Sequence, residues 1–366
     1  MTKKVLHILK SVGGVEVIVK MIVNHLDADK VENIIVHDDE SKTYFDTNNT
    51  KLKSFRLPIK REVSLLDDYR CVIGLIKIVK SERPSVIHCH SAKAGLIGRI
   101  VGAITKTSVL YTPHAFSYLS AENKLKKWLY LTIERYTKFQ KNTKLLAISN
   151  SEKERGVNEV KYSPENVFVW HNSIKPIEIE VEKPSDKFIS LIGRPSYQKN
   201  IEMMVRAIEL VKIEISTIKL KIIGVGYHSP NIKALETLIS ELNLKKNIDI
   251  IAWGDRVSVL KEIKRSEFLV STARYEGLPL ALIEALSLGK PCVVTEVDGN
   301  KDLITDSYNG FLVDNEDHIA LAQKIILLCN DEELKKKLSS NALNSFLKKF
   351  NIEENIKYLE EIYEGV

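Results

Sequence analysis

The chain has 366 residues, of which 44% are hydrophobic and 28% are charged, with a formal net charge of +6. A chain of this length is too long for one typical hydrophobic core, so it predicts two domains. No segment approaches the roughly 18 apolar residues that a membrane-spanning helix needs. The short apolar run within MTKKVLHILKSVGG is about half the minimum for a secretory signal, so it predicts a first β-strand. Cys71, Cys89, Cys292 and Cys329 lack disulfide-like or metal-like spacing and indicate a reducing cytoplasm.

Basic side chains are concentrated in the first half of the chain. Residues 1–175 contain 29 Lys and Arg against 18 Asp and Glu, a net of +11, whereas the remainder contains 25 against 30, a net of −5. This asymmetry predicts an anionic partner for the first half: a membrane surface, a phosphorylated substrate or a nucleic acid. A surface charged only for solubility is the alternative.

Strand-like and amphipathic helix-like segments alternate through the first half. In chain order we predict strand 5–9, helix 15–26, strand 32–38, helix 65–83, strand 85–90, helix 94–105, strand 108–114, helix 125–140, strand 144–150 and strand 165–174. A polar segment with prolines at 174–187 then predicts a linker.

The second half repeats this alternation. We predict strand 188–194, helix 201–212, strand 220–226, helix 232–243, strand 248–254, helix 257–266, strand 267–273, helix 280–289 and strand 291–296, with only helices after Phe311. The pattern predicts two doubly wound α/β domains with parallel sheets, at 1–175 and 176–345, and a final helix at 346–366 that packs back toward the first domain. Because ligands bind at strand carboxyl ends in such sheets, two facing domains would share a cleft.

Three loops at predicted strand ends have groups suited to phosphate. Gly13 and Gly14 follow the first strand and would let a backbone or phosphate approach closely. Arg194 and Lys199 leave the loop GRPSYQKN, where two cations could clamp a diphosphate, although such a pair alone is more often solvated surface charge. The GVG sequence ending at Gly226 lacks the third glycine of a dinucleotide fingerprint.

The segment from Ser271 to Tyr308 is the most informative part of the chain. It predicts a strand, a Gly/Pro turn containing Glu276, a helix containing Glu284, and a second strand. The turn presents free N–H groups at a helix N-terminus, which favours an anion such as phosphate. A carboxylate does not attract that anion, so Glu276 is better suited to hydroxyls, and Glu284 lies two turns further along roughly the same face. Phosphate together with hydroxyls predicts a nucleotide-sugar ligand.

Histidines follow two predicted strands of the first half. His88 and His90 lie on the same side of one strand, ahead of Lys93, and His114 follows a Thr-Pro turn after the next strand. A metal site would need a third ligand with matching spacing, which the sequence does not show. His114 would be an ordinary loop histidine if it did not lie at the mouth of the predicted cleft.

These motifs, in this order, resemble the GT-B glycosyltransferases of family 4 nearly end to end. The most specific match is the E-x7-E pattern of Glu276 and Glu284 within YEGLPLALIEALSLGKPCVVT, supported by GGVE, HSAKAG, the GR…K loop and GVG. HSAKAG and YTPHAF look like segments of bacterial polysaccharide and O-antigen enzymes. One departure lies in GRPSYQKN, where family members often carry an acidic residue and a glycine near the lysine, so the fine shape of this loop is open.

The resemblance implies a role for each motif. Arg194 and Lys199 would hold the donor diphosphate, Glu284 the ribose hydroxyls and Glu276 the sugar hydroxyls. The expected catalytic residues are His114, beside the reacting carbon, and Glu276. The donor site would also include Gly14, Gly226, Gly277, Leu278, Pro279 and Leu280, and the acceptor side would include Gly13, His90 and Lys93.

The resemblance also implies a reaction. Family members retain anomeric configuration, and the leaving diphosphate can accept the acceptor proton on the same face, so the enzyme needs no strong base. We expect a UDP-linked donor, a glycan acceptor linked to a polyprenyl diphosphate in capsule or O-antigen synthesis, and neither a cofactor nor a metal. The alternatives are a nucleotide-sugar epimerase of the same fold, against which the E-x7-E spacing argues, and a non-catalytic nucleotide-binding module.

Residues 124–144 mix seven basic side chains with Trp128, Tyr130, Tyr136 and Phe139. Basic and aromatic residues on one helix predict contact with an anionic membrane surface, whereas a packed helix with its aromatics in the core is the alternative. We therefore expect a cytoplasmic protein that is peripheral on the inner face of the cytoplasmic membrane. We expect no nucleic-acid partner, because the basic residues spread over several elements without a recognisable nucleic-acid-binding module.

Overall fold

A computed structural model of the chain describes residues 2–11, 13–60, 62–121, 123–138, 142–182, 184, 186–226 and 229–366. The chain divides into two units, each built around its own parallel sheet. The N-terminal unit comprises Met1–Lys175 and Asn351–Val366, and the C-terminal unit comprises Pro176–Phe350. The return to the N-terminal unit begins at residue 351, five residues later than the division at 346 drawn from the sequence.

The N-terminal unit begins with alternating strands and helices. In chain order these are β1 (Lys3–Ile8), α1 (Gly13–Val23), β2 (Val31–His37), β3 (Lys53–Arg56), α2 (Leu65–Glu82), β4 (Val86–His90), α3 (Ala92–Thr105), β5 (Ser108–Thr112), α4 (Lys124–Thr137), β6 (Thr143–Ala147), α5 (Asn150–Arg155) and β7 (Val167–Val169). The sheet order is β3-β2-β1-β4-β5-β6-β7. The order therefore reverses between β1 and β4, which is the point where ligands bind in doubly wound sheets.

Burial explains which strands the sequence revealed. All five residues of β4 are buried, as expected for a central strand covered on both faces, and its apolar residues Val86, Ile87 and Cys89 made it recognisable although two histidines interrupt them. The edge strand β3 was missed because its residues, KSFR, are mostly exposed and form no apolar run.

The C-terminal unit has the same construction. Its elements are β8 (Ile189–Ile192), α6 (Ile201–Glu214), β9 (Leu220–Val225), α7 (Ile232–Glu241), β10 (Ile248–Ala252), α8 (Arg256–Arg265), β11 (Leu269–Ser271), α9 (Leu280–Ser287), β12 (Cys292–Thr295), α10 (Asn300–Leu303), β13 (Gly310–Val313), α11 (His318–Asn330) and α12 (Glu332–Lys349). A last helix, α13 (Ile352–Gly365), belongs to the N-terminal unit. The sheet order is β10-β9-β8-β11-β12-β13, with its reversal between β8 and β11.

Strand β13 corrects the expectation that only helices follow Phe311. Phe311 itself pairs with Val293 of β12. The strand starts at Gly310, where an added Cβ would lie 2.2 Å from the Cys292 carbonyl oxygen, so only glycine fits against the β12 backbone. Within the described part of the chain, no helix combines the length and the apolar character needed to cross a membrane.

A buried ion pair sets the orientation of α4. Arg99 of α3 donates from Nη2 to Glu134 Oε2 at 3.0 Å, and the Tyr111 hydroxyl donates to Glu134 Oε1 at 3.0 Å. Both charged side chains are almost completely inaccessible to solvent. Because α-helical residues advance by about 100° each, an inward Glu134 turns Leu125 and Trp128 away from the core.

Candidate functional site

The loop after β8 and the turn after β11 are bound to each other where the C-terminal strand order reverses. Lys199 Nζ lies 2.6 Å from Glu276 Oε1, and Gln198 Nε2 donates to Glu276 Oε2 at 3.4 Å. The Arg274 amide donates to the Gln198 carbonyl at 2.8 Å. The Lys199 stem passes over Gly193, whose missing side chain leaves room for it. The structure therefore places two predicted donor-site residues in one ion pair: Lys199, expected to hold the donor diphosphate, and Glu276, expected to hold the sugar hydroxyls.

The second glutamate has a cation of its own. Arg256 Nε lies 2.8 Å from Glu284 Oε1, and the Glu284 side chain is buried. Burial raises the pKa of the Glu284 carboxyl above its ordinary value, and the Arg256 guanidinium opposes that rise. Sequence reasoning missed Arg256. One sequence feature could have indicated it: Arg256 is the first residue of a helix that follows a strand and a loop and is capped by Asp255.

The turn from Gly277 to Leu280 leads into α9 and offers amide groups to a ligand. The first N–H groups of α9 have no intrahelical acceptor and carry the positive end of the helix dipole. Gly299 supports this turn from behind: its φ is +78°, and an added Cβ would lie 2.4 Å from the Gly277 carbonyl oxygen. Gly299 is another residue that the sequence did not reveal, because a single glycine in TEVDGNK carries no distinctive spacing.

The remaining donor-site predictions lie on neighbouring loops of the same sheet edge. Arg194 is exposed after β8, and Gly226 is exposed after β9, with its N–H donating to Ser229 Oγ at 2.9 Å. Trp253 follows β10, is 67% exposed, and lies against Gly224, where an added Cβ would be 3.3 Å from the indole ring. Cations, carboxylates, helix amides and an aromatic surface therefore lie at one edge of the C-terminal sheet.

In the N-terminal unit, the predicted glycine turn is open and the predicted lysine is paired. Gly13 has a φ of +65°, and no atom lies within 4 Å of a Cβ added at Gly13 or Gly14. Lys93 Nζ lies 2.7 Å from both Asp68 carboxylate oxygens, so the charge of Lys93 is already compensated. Asp68 lies in the first turn of α2.

His90 lies in the interior of the N-terminal unit. It is only 1% exposed, and its ring nitrogens contact His7 and His114. The fold places His90 beneath His114, and its role on the acceptor side stays a prediction. The role of His114 beside a donor sugar stays a prediction.

The structure also supplies the third histidine that the sequence did not show. His7 of β1 joins His88 and His90, and one ring nitrogen of each lies within 4.8 Å of the others. Both nitrogens of His7 and of His90 already face hydrogen-bond partners, and those of His88 face Tyr363 and Thr112. A metal ion would have to replace these bonds, so the arrangement fits a hydrogen-bonded cluster better than a ligand set.

Comparison with known proteins identifies the family. The family model "Glycosyltransferase Family 4" matches residues 12–177, and "Glycosyl transferases group 1" matches residues 174–345. The UDP-Gal:alpha-D-GlcNAc-diphosphoundecaprenol alpha-1,3-galactosyltransferase of Escherichia coli is 27% identical, covering 88% of this chain and 87% of the relative. The capsular polysaccharide biosynthesis glycosyltransferase CapM of Staphylococcus aureus is 26% identical, covering 84% and 83%.

The solved structures agree on the fold. Sucrose-phosphate synthase from Thermosynechococcus elongatus superposes with a TM-score of 0.83 at 17% identity, covering 99% of this chain and 98% of that one. The predicted fold class is thereby confirmed, and the chain is a glycosyltransferase and neither an epimerase nor a non-catalytic module. Two doubly wound parallel sheets, the Glu276 and Glu284 pair, and both family matches assign this chain to the GT-B glycosyltransferases of family 4.

Proposed function

We propose that the protein transfers a hexose or N-acetylhexosamine from a UDP-sugar to a polyprenyl-diphosphate-linked glycan, with retention of anomeric configuration. The observation that carries this proposal is the pairing of Lys199 with Glu276 and of Arg256 with Glu284 at one sheet edge. The names of two relatives support the acceptor class, since they act on diphosphoundecaprenol-linked and PP-undecaprenol-linked glycans. The E. coli relative's name also supports a UDP-linked donor.

The site chemistry follows from its charges. Without donor, the Lys199 ammonium neutralises Glu276; when a diphosphate enters, Lys199 can bind its oxygens while Glu276 accepts hydrogen bonds from sugar hydroxyls. As the bond between the anomeric carbon and the diphosphate breaks, Lys199, Arg194 and the first amides of α9 stabilise the negative charge that develops. The acceptor oxygen bonds to the anomeric carbon on the same face, and its proton passes to the leaving diphosphate. Glu284 binds hydroxyls of the donor ribose.

We further propose that the enzyme acts at an anionic membrane surface. Helices α2 and α4 both pack against α3, and each follows a strand of one parallel sheet, so their first turns lie at the same sheet edge. Both helix starts expose large apolar side chains, with Leu65 83% and Trp128 62% exposed. Those of α4 lie among lysines, whereas the first turn of α2 carries Asp67 and Asp68. We call this surface the apolar rim, and it consists of Leu65, Leu66, Tyr69, Leu125, Trp128 and Leu129.

The rim favours the membrane hypothesis for α4 over the packed-helix alternative. Tyr136 is also exposed, and among the described aromatic residues of 124–144 it is Tyr130 that packs against the core. Phe139, which belongs to the predicted membrane segment, lies outside the described residues. Exposed tryptophan and leucine beside Lys124, Lys126 and Lys127 suit insertion between lipid headgroups with electrostatic attraction to anionic lipid.

The function is tested by turnover with a panel of UDP-sugars and a synthetic polyprenyl-diphosphate-linked acceptor, followed by product mass and anomeric configuration. We expect one UDP-sugar to be transferred with retention. Lys199→Met should lower kcat by about 100- to 1,000-fold, as removal of one charge-stabilising donor does in other active sites. Lys212→Met, on the outer surface of α6, is the matched control. Inversion, or no transfer from any UDP-sugar, would refute the proposal.

Metal and membrane contact have separate tests. We expect turnover to be unchanged in EDTA, because Lys199, Arg194 and helix amides provide the charge that a metal supplies elsewhere. Co-sedimentation with anionic vesicles should fall when Trp128 and Leu129 are both changed to serine, and with rising salt. Ile213→Ser, an exposed apolar position in the C-terminal unit, should leave it unchanged. If vesicle binding changes neither with salt nor with the rim substitutions, the apolar rim is not the membrane-binding surface.

A further inference from the structure

Four side chains of the N-terminal unit form one continuous line of hydrogen bonds, which we call the histidine relay. His7 Nε2 lies 3.1 Å from Asn33 Oδ1, and His7 Nδ1 lies 3.1 Å from His90 Nε2. His90 Nδ1 in turn lies 3.3 Å from His114 Nε2. The line thus runs from buried Asn33 on β2, through β1 and β4, to His114 in the loop after β5.

The rings meet edge to edge, as hydrogen-bonded imidazoles must. The His7 and His90 rings are inclined by 15° with centroids 5.4 Å apart, and the His90 and His114 rings by 25° with centroids 5.6 Å apart. Each centroid separation equals the nitrogen–nitrogen distance plus the two ring radii, so the nitrogens point at each other within the ring planes. His88, by contrast, contacts the face of His90 with centroids 4.0 Å apart and lies outside the relay.

The direction of every bond in the relay follows from its buried end. The Asn33 carbonyl oxygen can only accept, so His7 Nε2 carries a proton. Burial lowers the pKa of His7 and of His114 to about 4 and that of His90 well below its ordinary value, so all three rings are neutral at pH 7. A neutral ring has one N–H and one lone pair. His7 therefore accepts from His90, and His90 accepts from His114.

The backbone around His114 is held as firmly as its ring. His114 and Ala115 both adopt the left-handed region, with φ of +52° and +78°, which costs non-glycine residues free energy. The Glu152 carboxylate offsets this strain by accepting from the Ala115 amide and the Ile148 amide, each at 2.8 Å. Both the loop and the imidazole are thus fixed before any ligand binds.

We infer that the histidine relay holds His114 as the neutral tautomer with its proton on Nε2, so that Nδ1 offers a lone pair to a substrate hydroxyl. His90 and His7 are then positioning residues that act through His114. The inference rests on the proposed function only for the identity of that hydroxyl, on donor sugar or acceptor. The tautomer itself is a property of the protein alone.

Long-range proton–nitrogen spectra of histidine-labelled protein test the tautomer without substrate. The His114 signals, assigned by their loss in His114→Gln, should show a protonated Nε2 and an unprotonated Nδ1 at neutral pH. A proton on Nδ1, or an equal mixture of tautomers, refutes the inference. Because this measurement uses the unmodified protein and no substrate, it stands even if no UDP-sugar is transferred.

Variants at position 90 separate hydrogen bonding from packing. Asn and Leu have similar shapes, but only the Asn side chain can accept from His114 Nε2–H. We expect His90→Asn to keep the His114 tautomer and near-parental kinetics, and His90→Leu to give a tautomer mixture with kcat lowered about 2- to 10-fold and KM for donor little changed. His88→Asn, which disturbs the same buried cluster outside the relay, should leave the His114 tautomer unchanged. Equal spectra and kinetics for His90→Asn and His90→Leu refute the positioning role.

Discussion

Acidification should weaken the N-terminal unit through His7, and the size of the effect follows from its burial. His7 is completely buried, and this burial lowers its pKa from 6.5 to about 4. Below pH 6.5 the unfolded chain therefore binds a proton at His7 that the folded chain does not. The free energy of unfolding falls by about 1.36 kcal/mol per pH unit, or about 2 kcal/mol by pH 5, and this loss continues toward pH 4.

Hydrogen exchange can assign this loss of unfolding free energy to the N-terminal unit. Because the chain has two units, global melting is not a two-state measurement, whereas amide exchange of Val5 and Leu6 in β1 reports opening around His7. After correction for intrinsic rates, the opening equilibrium should rise about 15-fold between pH 6.5 and pH 5 from His7 alone, because the unfolded chain is already half protonated at His7 at pH 6.5. The neighbours facing His7 are His88, His90, Asn33 and Tyr363, and the two histidines add losses of the same sign.

A variant isolates the contribution of His7 from that of its neighbours. His7→Gln removes the titrating ring, so the same pH step should weaken the variant by about 1.6 kcal/mol less than the parent. Amides of Ile222 and Ile223 in β9 of the C-terminal unit provide an internal reference. If parent and His7→Gln lose the same free energy between pH 6.5 and pH 5, His7 is not held neutral by burial and the argument fails.

Three further substitutions probe the two units. Glu284→Ala should weaken UDP binding, measured by calorimetry, by about 10- to 150-fold, because it removes a charged hydrogen-bond acceptor. Gly299→Ala should also weaken UDP binding, since its Cβ would push the Gly277 carbonyl and its positive φ disfavours a side chain. Glu134→Ala should destabilise the N-terminal unit by about 3–5 kcal/mol in hydrogen exchange, because Arg99 would remain buried without its partner.

Each of these substitutions has a matched control. Glu262→Ala removes an ion-paired glutamate of α8 and should leave UDP binding unchanged. Gly254→Ala, where an added Cβ meets its nearest atom at an ordinary 3.6 Å, should fold and bind as the parent does. Replacing Arg99 and Glu134 together by Met and Leu should recover most of the lost stability. Equal losses in the single and double variants would contradict the role of the ion pair.

The sequence determined the parts of this protein that depend on local pattern. Alternating apolar strands and amphipathic helices predicted two doubly wound parallel sheets. Glu276 and Glu284 around a Gly/Pro turn predicted a nucleotide-sugar ligand, and their E-x7-E pattern carried the resemblance to the family. Such features are readable because a buried parallel strand is continuously apolar and because a turn before a helix N-terminus needs particular residues at fixed spacing.

Only the tertiary structure decided which side chains are partners. His7 meets His90 from a position 83 residues away, Lys199 meets Glu276 across 77 residues, and Arg256 meets Glu284 across 28. No local pattern encodes these distances, because they arise where strand order in the sheet departs from order along the chain. For the same reason His90, which its motif placed toward an acceptor, lies in the core beneath His114. Burial and neighbours set the protonation of each ring and carboxylate, so the chemistry of both sheet edges was decided by packing.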